Sequence, residues 1–569
     1  MSDGNVTVTR HFVSIRGRYG ERQVHYRRAG DGPSLVLLHQ SPQSSLEYVP
    51  LMKEWGRHFT VIAPDTPGYG ASDPPEGEDL TMADFADCVA EFIRALGISK
   101  TGLYGFHTGA AMSVETAARH PDLVTAVAVN GYGAFNDEEQ AELLANYLPA
   151  FVPAWDGSHL TWLWSRLRQQ LMFFPWYDLR AVSRMSYDLP SADHLQNEVL
   201  EFLRAGDNYR KAYGCAFSHD GAEAVVELKV PGLVTCWVGD VLASQLERIP
   251  PPPDGVEVYS SPTPQAARDN CFELLAAHPA PVPPASPPAQ ALQGRLWSEM
   301  VSIPGGQVRV FRNTDADGTT VVVQHDAAGS GRTVQGLAES LIGSHPVLAV
   351  ELPGHADSDN TIGEGDVSVA DYREALAQVL DALGLEQVNG YGVWGGGSVL
   401  LDMAIENPGR VGRLVITGLI DHTPEEQADL LANYTPEIVP QWHGGHLLEA
   451  WHMMRDQGIY FPWYARTAES MLQGEPYLDP DMVHRRVVEV LRAPVMWRKA
   501  YHAHFRYRAG QRLADAEIPV LLATAEWDVA RNLSERLAGE YAHCDSLLLP
   551  DNPAQWGEAV TPFLKGAAT

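Results

Sequence analysis

Long apolar runs are missing from this sequence: no stretch of eighteen or more apolar residues occurs, so no membrane-spanning helix is expected. The N-terminal stretch MSDGNVTVTRHFVSIRG lacks the charged-then-apolar order of a leader, which makes the cytosol the expected compartment. Cysteine is scarce. Cys88, Cys215, Cys236, Cys271 and Cys544 fall in no CxxC or Cys/His ligand spacing, which argues against a disulfide framework or a zinc site and leaves reduced core residues as the expectation. Positive charge is in deficit, with 41 Lys plus Arg against 72 Asp plus Glu and a formal charge of −31. Such a surface repels phosphate backbones and anionic lipid heads, so neither nucleic acid nor membrane is expected as a partner. No Walker lysine and no dinucleotide-binding glycine spacing with a downstream acid is present, and no cofactor or metal is implied.

What is present is repetition. Glu138 opens EEQAELLANYLPAFVPAWDGSHL and Glu425 opens EEQADLLANYTPEIVPQWHGGHL, which align without gaps and share 16 of 23 residues. The offset of 287 holds from Tyr104 and Tyr391 to Phe174 and Phe461, and with small shifts from Ser72 and Ser358 to Arg210 and Arg498. Two whole domains are therefore duplicated, as 569 residues at 45% hydrophobic content would allow. The first is expected over 1–278 and the second over 292–569. PAPVPPASPPAQA, residues 279–291, joins them as an extended, unpacked linker.

Within each copy, short β-branched runs alternate with amphipathic stretches of period three to four. In the first copy SLVLLHQ, FTVIAPD, TGLYGF, VTAVAVNG, GLVTCWVGD and GVEVYS read as buried strands, whereas MADFADCVAEFIRALG reads as a helix. The expected fold class is α/β: two tandem domains, each a mostly parallel sheet with flanking helices. A helical, aromatic-rich stretch interrupts the alternation at about 138–227, and its twin lies at about 425–515. Each is expected to cap its sheet.

Three motifs in order carry a resemblance. LLHQSP (Leu37 to Pro42), PDTPGYGASD (Pro64 to Asp73) and GFHTG (Gly105 to Gly109) are similar to the HGxP loop, the PDxxGxGxSD turn and the nucleophile elbow of the α/β-hydrolase superfamily. The capped members, such as epoxide hydrolases, haloalkane dehalogenases and small esterases, are the ones this chain resembles. The catalytic set departs from theirs. The family's nucleophile is Ser, Asp or Cys, but His107 stands at the first elbow and Trp394, in GVWGGG, at the second. The acid is retained as Asp240 and Asp528. The family's histidine base is absent from both VYSSPTPQA and LLPDNPAQW.

The second copy is accordingly expected to be pseudo-catalytic, with Trp394 a plug or stacking surface. In the first copy an imidazole pushed into the cavity by the elbow is itself a competent base or nucleophile. Because it stands on the elbow, His107 is expected to hydrogen-bond Asp240 directly and to offer its other nitrogen to substrate or water. The resemblance assigns the oxyanion donors to the N–H groups of Ser41 and Thr108. Gln40, in place of the family's glycine, adds an amide for a polar substrate group. Thr108 itself, one residue past the apex, is poorly placed as a nucleophile.

His159 and His446 recur in GSHL and GGHL, and recurrence between such different elbows favours shared architecture, with a pocket-facing role for His159 as the alternative. Trp176 and Tyr177, in FFPWYD, are expected either to pack cap on core or to line an apolar pocket. His39 and His325 read as structural, and Asp65 as the closure of its turn. The functional expectation is an α/β-hydrolase-type enzyme using His107 on a small apolar or aromatic ester, lactone, amide or epoxide. Two alternatives stand beside it: a lyase, decarboxylase or cyclase with His107 as general base, and a non-catalytic two-domain binding or scaffold protein.

Overall fold

The computed structural model describes residues 6–566 apart from 474 and 477. The first five residues, which head the stretch lacking a leader pattern, and the last three lie outside the described residues. The chain divides into two compact units. One is residues 1–152 with 162–290, and the other is 153–161 with 291–569.

The first unit is built on an eight-stranded sheet of order β1-β2-β4-β3-β5-β6-β7-β8. The strands are β1 (Val8–Gly17), β2 (Gly20–Ala29), β3 (Ser34–Leu38), β4 (Thr60–Pro64), β5 (Thr101–Phe106), β6 (Val124–Asn130), β7 (Gly232–Trp237) and β8 (Val256–Ser261). From β4 across to β8 every pairing is parallel, whereas β2 joins β4 and β1 joins β2 antiparallel. All six apolar runs read from the sequence are strands. The β1–β2 hairpin has no such run: it carries polar and charged residues such as Arg10, Arg16, Glu21 and Arg27, and only part of it is buried.

The second unit repeats the plan with β9 (Trp297–Ile303), β10 (Gly306–Asn313), β11 (Val321–Gln324), β12 (Val347–Val350), β13 (Val388–Val393), β14 (Val411–Thr417), β15 (Val520–Thr524) and β16 (Cys544–Leu548). Its order, β16-β15-β14-β13-β11-β12-β10-β9, is that of the first sheet with corresponding strands in corresponding places. Each core joins strand side chains to those of the flanking helices, such as Met52, Trp55 and Leu275 in the first unit and Leu337, Val560 and Phe563 in the second. Leu35, Leu37, Val61, Tyr104 and Ala128 lie in one, and Val321, Val323, Ala349, Tyr391 and Leu521 in the other. Burial of each larger side chain contributes about 1.5–3 kcal/mol.

Between β6 and β7 the chain leaves the sheet as helices Asp137–Asn146, Ser158–Gln170, Ala192–Ala205, Tyr209–Ser218 and Gly221–Val226, and the second unit does the same between β14 and β15. These are the cap stretches. The five cysteines are free and buried. The proline-rich segment differs from its expectation: it is irregular and extended, but not unpacked. Ser34 N donates to Pro281 O at 3.1 Å, Arg28 Nη1 to Pro284 O at 2.6 Å and Ser14 Oγ to Gln290 O at 2.7 Å, so it lies along the first sheet. Proline carbonyls remain strong acceptors even where the N–H is lost.

Candidate active site

The elbow of the first unit runs from β5 into the helix Thr108–Arg119. His107 turns between them with φ 48° and ψ −111°, a left-handed conformation that is strained for a residue with a side chain. Packing explains the small residues around it. A Cβ on Gly109 would lie 1.8 Å from Leu38 O, and one on Gly105 would lie 2.2 Å from Gly109 O, so the helix presses directly on β3 and β5. The glycines are required by this close approach.

The turn pushes the imidazole outward, and its side chain is 30% exposed. Phe106 stacks on one face, with ring centroids 4.1 Å apart and planes 18° from parallel. Gly131 (φ 71°) backs the ring: a Cβ there would fall 2.1 Å from His107 Cδ2. The third contact is the decisive one. His107 Nε2 lies 3.1 Å from Asp240 Oδ2, across 133 residues of chain.

Asp240 sits in the turn after β7, with its side chain 5% exposed and Oδ1 accepting from Leu242 N at 2.9 Å. Burial alone would raise its pKa. The adjacent His107 and the Leu242 N–H more than offset that and hold it below the usual carboxylate range. An ionised carboxylate only accepts, so Nε2 carries the proton, and Nδ1, with no partner among the described residues, carries the free lone pair. Where the family's histidine would follow β8, Ser261 Oγ instead bonds Thr235 Oγ1 at 2.9 Å.

Neither Ser41 N nor Thr108 N has an acceptor among the described residues; both residues are buried. Gln40 is engaged. Its N and its Nε2 donate to Glu47 Oε1 and Oε2, at 3.1 and 3.0 Å, and burial pushes the pKa of that carboxyl up to about 8. Sequence reasoning missed Glu47, which lies seven residues on and inside a short helical turn that no periodicity marks.

The other candidates have local partners. His39 bridges Gln40 O (2.8 Å) and Thr66 N (2.8 Å), and His325 bridges Asp326 O (2.7 Å) and Leu352 N (2.9 Å). Asp65 accepts from Ser45 N, Ala71 N and His25 Nδ1, all at 2.8–2.9 Å. Trp176 Nε1 donates to Tyr147 O and Tyr177 OH to Glu142 Oε1, both at 3.1 Å, within the cap. His159 falls in the segment grouped with the second unit, where it meets His484 (3.0 Å) and Trp451. Its Nδ1 accepts from Ala154 N, just as His446 Nδ1 accepts from Gln441 N, so one loop closure is used in both copies.

In the second unit Trp394 has φ 48° and ψ −114°, the same turn as His107, with Gly418 behind its indole. Asp528 keeps its backbone bond from Ala530 N but has no imidazole beside it among the described residues. Burial pushes its pKa up to about 6. The equivalents of Ser41 and Thr108 are Ala327 and Gly395, and both N–H groups donate to Asp326 Oδ1, at 2.6 and 3.2 Å.

The fold, the two elbows and the retained acids define one class, and comparison with known proteins agrees. The family model of the alpha/beta hydrolase fold matches residues 33–214 and 319–448, more than half of the sequence. The chain belongs to the alpha/beta hydrolase fold family. Among curated relatives, 2-(acetamidomethylene)succinate hydrolase of Mesorhizobium japonicum is 35% identical over 134 residues, which is 24% of this chain and 48% of that protein. A soluble epoxide hydrolase of Corynebacterium sp. is 37% identical over 117 residues, 21% of this chain and 39% of that one. The chain spans about half or less of the length of these relatives. Among solved structures, epoxide hydrolase A of Mycobacterium thermoresistibile covers 48% of this chain and 99% of its own at 16% identity, with a TM-score of 0.38. Among the described residues no helix is long and apolar enough to cross a membrane, and no group of three or more His, Cys, Asp or Glu could hold a metal ion.

Proposed function

We propose that the first domain is a hydrolase in which His107 is the general base, Asp240 orients it, and the Ser41 and Thr108 N–H groups hold an oxyanion. The observation that carries this reading is the direct His107–Asp240 bond at the elbow tip. A serine on the elbow needs an intervening imidazole to reach its acid. Here the imidazole is already there, and the lost histidine after β8 is not needed.

The tautomer favours base over nucleophile. Nδ1 is flanked by the ring carbon that bears the main chain, so attack on an acyl carbon is hindered, whereas taking a proton from water is not. In the proposed step Nδ1 accepts that proton as the water oxygen adds to the carbonyl carbon. The carbonyl oxygen takes the electron pair and is held by the two amides. Collapse of the adduct expels the leaving group, which takes the proton back from the imidazolium. Asp240 stays ionised and stabilises the imidazolium meanwhile.

Esters, lactones and amides of small apolar or aromatic molecules are the proposed substrates of this step. With an epoxide the water oxygen instead adds to a ring carbon as its C–O bond breaks, the ring oxygen taking the electron pair and then the proton from the imidazolium. The relatives are named as a 2-(acetamidomethylene)succinate hydrolase and a soluble epoxide hydrolase. A lyase reading shares the same site. A base with a free Nδ1 beside two amide donors also suits removal of a proton next to a carbonyl without any covalent intermediate. The second domain is proposed to be non-catalytic, on the strength of Trp394 and of Asp528, which meets no imidazole among the described residues.

Assay of the wild type, His107→Ala and His107→Ser against an ester, lactone, amide and epoxide panel tests the proposal. Loss of turnover by about 10²–10⁴ in His107→Ala is expected. Full activity in that variant overturns it, and hydrolysis by His107→Ser alone assigns the wild type to the lyase class.

A further inference from the structure

The amide pair of the second domain converges on a single point. Ala327 N and Gly395 N come from different segments, the loop after β11 and the elbow helix. Both reach Asp326 Oδ1, at 2.6 and 3.2 Å, while Tyr501 OH donates to Oδ2 at 3.0 Å. Two N–H groups about 3 Å from one oxygen are the arrangement that binds an oxyanion or one arm of a carboxylate.

The His504 ring packs beside the same place through its Cγ. A Cβ on Gly395 would lie 3.4 Å from Asp326 Oδ1, 3.5 Å from Ala327 N and 3.6 Å from His504 Cγ. The His504 imidazole is buried, with Nδ1 on Ser398 Oγ at 2.8 Å and Nε2 left without a hydrogen-bond partner among the described residues. Burial, with His422 nearby, keeps it neutral by lowering its pKa to about 3.

We propose that the second domain retains a small-carboxylate site, formed by the Ala327 and Gly395 N–H groups and Tyr501 OH beside His504, and that Asp326 occupies it in cis. The contrast with the first domain explains why. Gln40 corresponds to Asp326, but Glu47 takes both its N and its Nε2 and holds it away from the Ser41 and Thr108 amides. Thr333, the counterpart of Glu47, is instead engaged with Ser330 and offers no such carboxyl group. Asp326 turns into the donors for want of a competitor. The inference stands on the second domain alone, whether or not His107 is catalytic.

The test uses the full-length chain with acetate as probe. Asp326→Gly removes the occupant. Acetate at about ten times its dissociation constant is expected to raise that variant's Tm by about 2–4 °C beyond any rise in the wild type, which carries the same first domain. Asp326→Asn, whose amide oxygen still meets the donors, is expected to respond as the wild type does. Equal acetate responses from Asp326→Gly and wild type overturn the proposal. Should Asp326→Gly fail to fold, the amide signals of ¹⁵N-alanine- and ¹⁵N-glycine-labelled protein decide. Asp326→Asn is expected to shift both the Ala327 and Gly395 N–H resonances upfield, and unmoved signals overturn the proposal.

Discussion

Two aspartates at one position in two copies of the same fold titrate in opposite directions, and an imidazole makes the difference. Asp240 is held below the ordinary range by His107; Asp528, facing no imidazole among the described residues, is pushed up to about 6. A carboxyl whose folded pKa exceeds its unfolded value of about 3.9 contributes stability that is present below about pH 4 and lost as pH rises through about 6. Asp528→Asn is therefore expected to raise stability at pH 8 by about 1–3 kcal/mol and to change it little at pH 4, read from urea denaturation at the two pH values.

In the first domain, whose activity is proposed above, Asp240→Asn keeps the shape of the acid but can offer an N–H where a carboxylate accepted. That favours the wrong imidazole tautomer. A fall in kcat of about 10²–10⁴ with little change in KM is expected on whichever substrate of the panel is turned over. Gly131→Ala tests positioning rather than chemistry, since its Cβ would meet His107 Cδ2 at 2.1 Å from a backbone at φ 71°. A loss of about 10² in kcat is expected, and an unchanged rate would mean that the ring's position does not matter.

The elbow is the element that both copies preserve. His107 and Trp394 share φ 48° and nearly the same ψ although their side chains have nothing in common. The strain is kept by packing: the glycines that follow each elbow press on carbonyls of the neighbouring strand, Gly109 on Leu38 O of β3 and Gly396 on Gln324 O of β11. Gly109→Ala places a methyl 1.8 Å from that oxygen. It is expected to cost about 3 kcal/mol or more, or to prevent folding, as read from Tm and soluble yield.

The parallel strands were legible because burial on both sides writes a continuous β-branched run into the sequence. The β1–β2 hairpin was not, since its partly exposed strands carry charge within them. The linker's extended form was legible from proline. Its hydrogen bonds to the first sheet were not, because carbonyl acceptors leave no residue signature.

At the scale of the whole molecule, a formal charge of −31 sets a self-repulsion that opposes compactness. Raising NaCl from about 10 to about 200 mM, which shortens the screening length from about 30 to about 7 Å, is expected to raise Tm. A Tm that falls or stays level would show that local ion pairs outweigh the net charge.

The amino-acid order alone determined the duplication, the α/β alternation and the residue at each elbow tip, which are properties of period and spacing along the chain, and its motifs carried the resemblance to the family. The sequence also led to the expectation of a His107–Asp240 bond, which the tertiary structure has at 3.1 Å across 133 residues, whereas tertiary structure alone decided that Asp326 meets the elbow amide of Gly395 at 3.2 Å. It also decided that Glu47 holds Gln40 while Asp326 stands in the amide pair. Those outcomes depend on where a side chain points once the backbone is placed. Two sequences with one fold can therefore keep one pair of amides open and close the other.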